Sequence, residues 1–197
     1  MTTMQHGAVM TTSSDLVWPV AVPAEAAVRT VARRLPPGTE LTARLYHHPF
    51  LGMMFLLDTE KHRSRWRPRA RPVLAAVLVD LVSGRAFLTD PWNAEDLTTR
   101  AEALAAASSG HVDAVTSPAP RAPAPRLTEE DAVAAGRALL PGLLARRRRL
   151  DALGAAELTG PPTRFGKPNW WVTGQAGGRM VEVVVDALSG RHYARSA

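Results

Sequence analysis

The 197-residue chain has few residues spaced for chemistry, and the strongest candidates suit binding. A cationic segment at residues 61–71 carries a tryptophan among its arginines. Such a segment can grip phosphates and stack on a base, or dock on an acidic protein face. A solvated hairpin loop would explain the same composition without a partner. The residues we expect to contact a partner here are Arg63, Arg65, Trp66, Arg67 and Arg69.

The second binding candidate is the adjacent pair Trp170 and Trp171. Neighbouring residues on a strand point to opposite faces of a sheet. If a helix covers only one face, one indole therefore points outward, and an exposed tryptophan indicates a partner-binding surface. The alternative is that the rest of the chain covers the second face and buries both rings.

Two aspartates lie in nearly identical segments, because residues 79–85 recur as residues 185–191 with five of seven positions identical. In each segment the aspartate can accept hydrogen bonds from turn amides, and the glycine can take the positive φ that a tight hairpin requires. We therefore assign structural turn roles, rather than catalytic ones, to Asp80, Gly84, Asp186 and Gly190.

No catalytic residue, metal ligand or cofactor is predicted. The chain lacks the sequence patterns of zinc peptidases, serine hydrolases and dinucleotide-binding folds. His47 and His48 are neighbours on a predicted strand and point to opposite faces, so they cannot hold one metal together. An enzyme stays open as an alternative, with scattered residues such as Tyr46, His48 or Asp80 around a pocket between two repeats.

The composition, 46% hydrophobic and 21% charged, is that of a globular protein. The absence of cysteine excludes disulfides and cysteine-based metal sites and fits a reducing compartment. No apolar run is long enough to span a bilayer, so we expect a cytoplasmic protein without a membrane partner. Nearly all of the basic residues are arginine, which is typical of a GC-rich, for instance actinobacterial, genome and weakens a nucleic-acid interpretation of the +6 net charge.

The recurrence extends upstream, because residues 26–36 match residues 131–141. Two matching blocks at nearly constant offset predict an internal duplication. The predicted fold class is α+β, in which each copy is a helix followed by a three- to four-stranded antiparallel sheet. The predicted organisation is a disordered N-terminus at 1–16, a first repeat with a trailing helix at 17–110, a Pro/Ala-rich linker at 111–126 and a second repeat at 127–197.

The order of helix and hairpin, with the recurring Val-Asp-x-x-Ser-Gly-Arg turn, resembles the PepSY family of small tandem α+β domains. The outline is also similar to small bacterial immunity proteins that bind and block a toxin domain. Both resemblances imply binding rather than chemistry. The resemblance to PepSY domains implies an inhibitory or accessory module, frequently one directed towards peptidases.

The sequence thus predicts a non-catalytic intracellular accessory protein that engages a protein or peptide partner through a sheet face and the cationic segment. Three alternatives remain at this point. They are an immunity-type inhibitor of a toxin, an enzyme with a small-molecule pocket between the repeats, and nucleic-acid binding by the arginines, whose affinity would fall steeply with salt.

Overall fold

The computed structural model describes residues 16–57, 73–108, 122–146 and 156–194. Residues 1–15 of the predicted N-terminal tail, the cationic segment and residues 111–121 of the predicted linker lie outside this part of the chain. The strands within it are β1 (Leu16–Val17), β2 (Leu41–Leu57), β3 (Val73–Asp80), β4 (Ala86–Thr89), β5 (Thr98–Thr99), β6 (Ala156–Leu158), β7 (Thr163–Ala176), β8 (Arg179–Asp186) and β9 (His192–Ala194). The helices are α1 (Ala24–Ala32), α2 (Arg100–Ser108) and α3 (Glu129–Arg146).

The predicted fold class, a duplicated helix-then-sheet α+β protein, is wrong. Strands make up 45% of the structure and helices 24%, and the described strands form one large mixed sheet of nine strands. The main cause is the length of the two central strands, β2 and β7. They pair along twelve successive positions, from Leu41 opposite Gly174 to Gly52 opposite Thr163, and this ladder joins the two halves into one sheet.

Strand β2 runs through Pro49 without ending there. The Pro49 carbonyl accepts a hydrogen bond from the Leu81 amide at 3.1 Å, on the edge that faces β3. The nitrogen of a strand residue points to the same edge as its carbonyl, and β3 pairs with β2 only from Phe50 onward. The missing N–H therefore interrupts no ladder, which is the condition under which strands tolerate proline. Pro168 of β7 holds the corresponding position and accepts from the Ala187 amide.

The first half, residues 16–108, and the second half, residues 122–194, repeat the same contacts. The amides of Arg126 and Leu127 donate to the Leu81 carbonyl, and the amides of Ala21 and Val22 donate to the Ala187 carbonyl. Each segment that leads into a helix is thus tied to the hairpin turn of the other half.

The helices are exchanged between the halves in the same way. Helix α1 packs on the first part of β2 and on β7, over a buried cluster in which Trp170 and Val172 of β7 join Val185 of β8. Helix α3 packs on β2, β3 and β4, where Phe55 and Val77 lie in the core. Both helices cover the same side of the sheet, which we call the helical face. Neither half has its own helix over its own hairpin.

The other side of the sheet, the opposite face, carries a third buried cluster, made by Phe50, Ala76, Leu78, Trp92 and Phe165. Trp18 packs on Phe165 with the ring centroids 4.5 Å apart. This cluster closes the first half of the opposite face. Within the four described segments, no helix is both long and apolar enough to cross a membrane.

Candidate functional site

The two adjacent tryptophans lie on different faces of the sheet. Trp170 is 4% exposed beneath α1, and its Nε1 donates to the Val22 carbonyl at 2.7 Å. Its ring is part of the core, so Trp170 does not belong to the candidate binding surface. Trp171 lies on the opposite face, half-buried, and its Nε1 donates to Glu182 Oε1 at 2.8 Å.

Trp171 begins a row of apolar side chains that crosses three strands on the opposite face of the second half. Its register partner on β8 is Val184, and the partner of Val184 on β9 is Tyr193. On the other side, Arg44 of β2 lies opposite Trp171. Tyr193 is 60% exposed, while Trp171 and Val184 are half-buried. We call Arg44, Trp171, Val184 and Tyr193 the open-face patch.

The first half has an equivalent row, but a further segment of the chain covers its first two positions. Gly52 lies opposite Leu78, which lies opposite Phe87, and these positions correspond to Trp171, Val184 and Tyr193. The indole of Trp92 lies directly on Gly52, where any Cβ atom would collide with it. Leu97 packs against the same cluster.

Of the three buried clusters formed by the described residues, none includes Trp171, Val184 or Tyr193. In both halves an indole stands over the central strand. In the first half this indole belongs to Trp92, which lies outside the sheet. In the second half it belongs to Trp171, a residue of the central strand itself. Among the described residues, the open-face patch is therefore the uncovered counterpart of a position that Trp92 covers in the first half.

Asp80 closes the first-half hairpin, as its turn assignment predicts. Its Oδ1 accepts from the Val82 amide at 2.8 Å, and its Oδ2 accepts from the Ser83 hydroxyl at 2.6 Å. His48 Nε2 lies 2.8 Å from the same Oδ1. Gly84 has a φ of 75°, the left-handed conformation that glycine adopts without strain.

Asp186 repeats this arrangement with a lysine in place of the histidine. Its Oδ1 accepts from the Leu188 amide at 2.8 Å, and Lys167 Nζ lies 2.6 Å from Oδ2. Gly190 has a φ of 72°. His48 and Lys167 are equivalent residues and also face each other in the β2–β7 ladder, so a pseudo-two-fold axis passes between them.

The pKa of both aspartates lies below its usual range. Burial acts to raise the pKa of Asp80, but the hydrogen bonds from Ser83, His48 and Val82 outweigh it. For Asp186 burial likewise acts to raise the pKa, and the bonds from Lys167 and Leu188 outweigh it. Both carboxylates are held ionised by groups that fasten a hairpin to the central strands.

A histidine oriented by a carboxylate can serve as a general base, but the pseudo-symmetry favours a structural role for His48 and Asp80. The same position in the second half holds Lys167, which is paired to Asp186. An identical arrangement with a different basic group points to the shared task of holding the turn. Tyr46 lies two residues before His48 on the same face and opposite Asn169.

No family model, curated protein or solved structure matches this chain.

The other predicted contact residues, Arg63, Arg65, Trp66, Arg67 and Arg69, lie outside the described residues. The described segments contain no group of three or more histidine, aspartate or glutamate side chains placed to hold a metal ion.

Sequence reasoning missed Tyr193, Val184 and Arg44 as members of the site. The repeat could have found two of them, because Val184 and Tyr193 follow from placing the second hairpin on the first. Arg44 could not be found in this way, because it reaches the patch only through the β2–β7 ladder.

Proposed function

We propose that this chain is a non-catalytic cytoplasmic binding protein that engages a protein or peptide partner through the open-face patch. The observation that carries the proposal is the contrast between the two halves at one equivalent row. Trp92 and Leu97 cover Gly52 and Leu78 of that row in the first half, whereas none of the buried clusters of the described residues includes Trp171, Val184 or Tyr193.

The residue types of the patch suit a protein interface. Tryptophan, tyrosine and arginine are the side chains most enriched among residues that dominate binding energy. Trp171 and Tyr193 present rigid rings with few rotatable bonds, and Arg44 and Glu182 supply charge beside them. Such a surface combines an apolar centre with a polar rim.

The covered row of the first half indicates the form of the partner. Trp92 and Leu97 come from a segment that holds a single 3₁₀ turn, Ala94–Asp96, and the two-residue strand Thr98–Thr99. A short irregular segment with apolar side chains therefore suffices to close this kind of row. We expect the partner to contribute a comparable segment, with an apolar side chain placed between Trp171 and Tyr193.

The proposal is tested with a photo-crosslinking amino acid, p-benzoylphenylalanine, placed at position 193 or at the equivalent position 87. Phe87 is the matched control, because it is also exposed and lies on the same face at the same position of its hairpin. In lysate of the native host we expect a discrete crosslinked protein from position 193 and none from position 87. Mass spectrometry then identifies the partner.

Binding of the purified partner gives the quantitative test. Tyr193→Ala should weaken affinity about tenfold or more, as expected for a central interface aromatic, whereas Phe87→Ala should leave it within about twofold. Equal crosslinking at both positions, or partner affinity that is indifferent to both Tyr193→Ala and Trp171→Phe, would contradict the proposal. Circular dichroism of each variant separates lost binding from lost fold.

A further inference from the structure

A cavity of about 230 Å³ lies between the two halves, away from the open-face patch. It is bounded by the central strands, the start of α2 and the segment that leads into α3. Its lining combines cationic or imidazole side chains with apolar ones. The residues that matter for its chemistry are His47, Leu81, Arg100, Pro123, Pro125 and Arg164.

His47 supplies a buried polar atom with no partner. The side chain is 5% exposed, and its Nε2 has no hydrogen-bond partner among the described residues. Burial, and to a smaller extent the charge of Arg100, lowers the pKa of His47 to about 4, so the ring is neutral at physiological pH. A buried imidazole nitrogen without a partner is costly, so His47 is set up to bond a ligand.

Arg100 supplies a partly buried cationic group, with a buried Nε, in the same cavity. Its Nε has no hydrogen-bond partner within the described part of the chain, although a guanidinium is charged at every physiological pH. Arg164 adds a second positive charge, which Glu129 partly offsets through an ion pair of 3.4 Å. The cavity therefore holds net positive charge and no acidic lining residue.

We propose that this cavity binds a small organic carboxylate through Arg100 and His47. The guanidinium edge of arginine matches a carboxylate with two parallel hydrogen bonds, and the imidazole can donate a further one to the same group. Leu81, Pro123 and Pro125 contact the apolar body of the ligand. The volume is below the range typical of drug-sized ligands, which excludes nucleotides and favours a compact molecule.

The site goes beyond the proposed partner binding, because it shares no residue with the open-face patch. Its position at the junction of the halves gives it a further property. Pro123 and Pro125 precede α3, which covers the first half, while Arg164 belongs to β7. A bound carboxylate would thus fasten together segments that only the complete chain brings into contact.

The test is a titration of the intact protein with benzoate, followed by the imidazole ¹H–¹⁵N correlation of His47. Benzamide serves as the neutral analogue, and inorganic phosphate as the anion without an apolar body. We expect saturable changes at His47 with benzoate, much weaker changes with benzamide, and affinity at least tenfold lower in Arg100→Gln. The control Arg126→Gln, at an exposed arginine beside the cavity wall, should bind benzoate normally.

Three results would overturn the proposal. They are the lack of a saturable response to benzoate, an equal response to benzamide, or a preference for inorganic phosphate. Benzoate affinity unchanged by Arg100→Gln would also contradict it. A backbone amide spectrum of each variant verifies the fold, and Arg100→Lys, which keeps the charge but loses the planar fork, should recover only part of the affinity.

Discussion

The first and second halves of the sheet place an indole over the same position, but they obtain it from different parts of the chain. In the first half the position is Gly52, and Trp92 arrives on it from the segment after β4. In the second half the position is Trp171 itself. Gly52 has no side chain, so another residue must fill the space above the strand. Trp171 fills that space with its own ring, and the outer side of the ring is not covered by the described residues.

The difference shows how one repeated architecture can be covered by a further segment at one end and left open by the described residues at the other. Trp92 is 7% exposed and joins a cluster with Phe50, Leu78 and Phe165. Tyr193 and Met180, at the other end of the same face, are 60% and 69% exposed. Stability should therefore depend on the covered row, and partner binding on the open one.

The largest effect should come from removing the cover. Trp92→Ala should lower the free energy of unfolding by about 3–5 kcal/mol, because it deletes a buried aromatic side chain and leaves a cavity over Gly52. Trp171→Ala should cost about 1–2 kcal/mol, since the ring is half-buried and loses one hydrogen bond. Urea unfolding at neutral pH measures both. If Trp171→Ala lowered the free energy of unfolding as much as Trp92→Ala, the proposal that stability depends mainly on the covered row would be contradicted.

A smaller and matched effect is expected at the two hairpins. Asp80→Asn and Asp186→Asn should each cost about 2 kcal/mol, because each removes a charged acceptor of turn hydrogen bonds. The two costs should be similar, since the contacts are equivalent. If urea unfolding showed a loss of stability in only one of the two variants, the equivalent contacts would not contribute equally to the free energy of unfolding.

The same two aspartates should also determine how the stability of the protein changes in acid. The pKa of each aspartate is lowered in the folded state, so its stabilising contribution is present above the ordinary aspartate pKa of about 4 and is lost as the pH falls through the folded pKa. The double variant Asp80→Asn, Asp186→Asn should therefore lose less stability than the unmodified protein below about pH 4. Thermal unfolding between pH 7 and pH 2 measures this, and parallel curves would contradict it.

The smallest effect on stability should come from the cationic segment. Replacing its partner-contact arginines should leave the free energy of unfolding within about 0.5 kcal/mol, as for surface substitutions generally. It should slow association with an acidic partner at low salt and have little effect at high salt. Stopped-flow association at two salt concentrations tests this for the combined change Arg63→Gln, Arg65→Gln, Arg67→Gln and Arg69→Gln. Equal association rates for the variant and the unmodified protein at low salt would show that the segment does not take part in the interface.

Local chemistry could be predicted from the sequence. The hairpin turns were recognisable because aspartate, serine and glycine act on backbone groups only a few residues away, and the contacts of Asp80 and Asp186 confirm the turn assignments. The opposite orientation of Trp170 and Trp171 followed in the same way from strand geometry.

Long-range arrangement could not be predicted. The pairing of β2 with β7, and the packing of each helix on the other half, leave no trace in residue spacing, because the repeat reads the same whether a helix covers its own hairpin or its neighbour's. Gly52 also gives no sign of a cover, since a glycine in a strand indicates a bulge as readily as a close approach. These two omissions account for the wrong fold class and for the unexpected role of Trp92.

The exchange of the helices has a consequence for how the protein is made. While the first half leaves the ribosome, α1 finds only the first part of β2 to pack on, because Trp170, Val172 and Val185 of the same cluster have not yet been synthesised. The edge of β2 that pairs with β7 keeps its backbone groups unpaired until β7 emerges, and such distant pairing is slow to form. The nascent chain must therefore keep the first-half side of this core in contact with solvent or a chaperone until β7 and β8 have been translated.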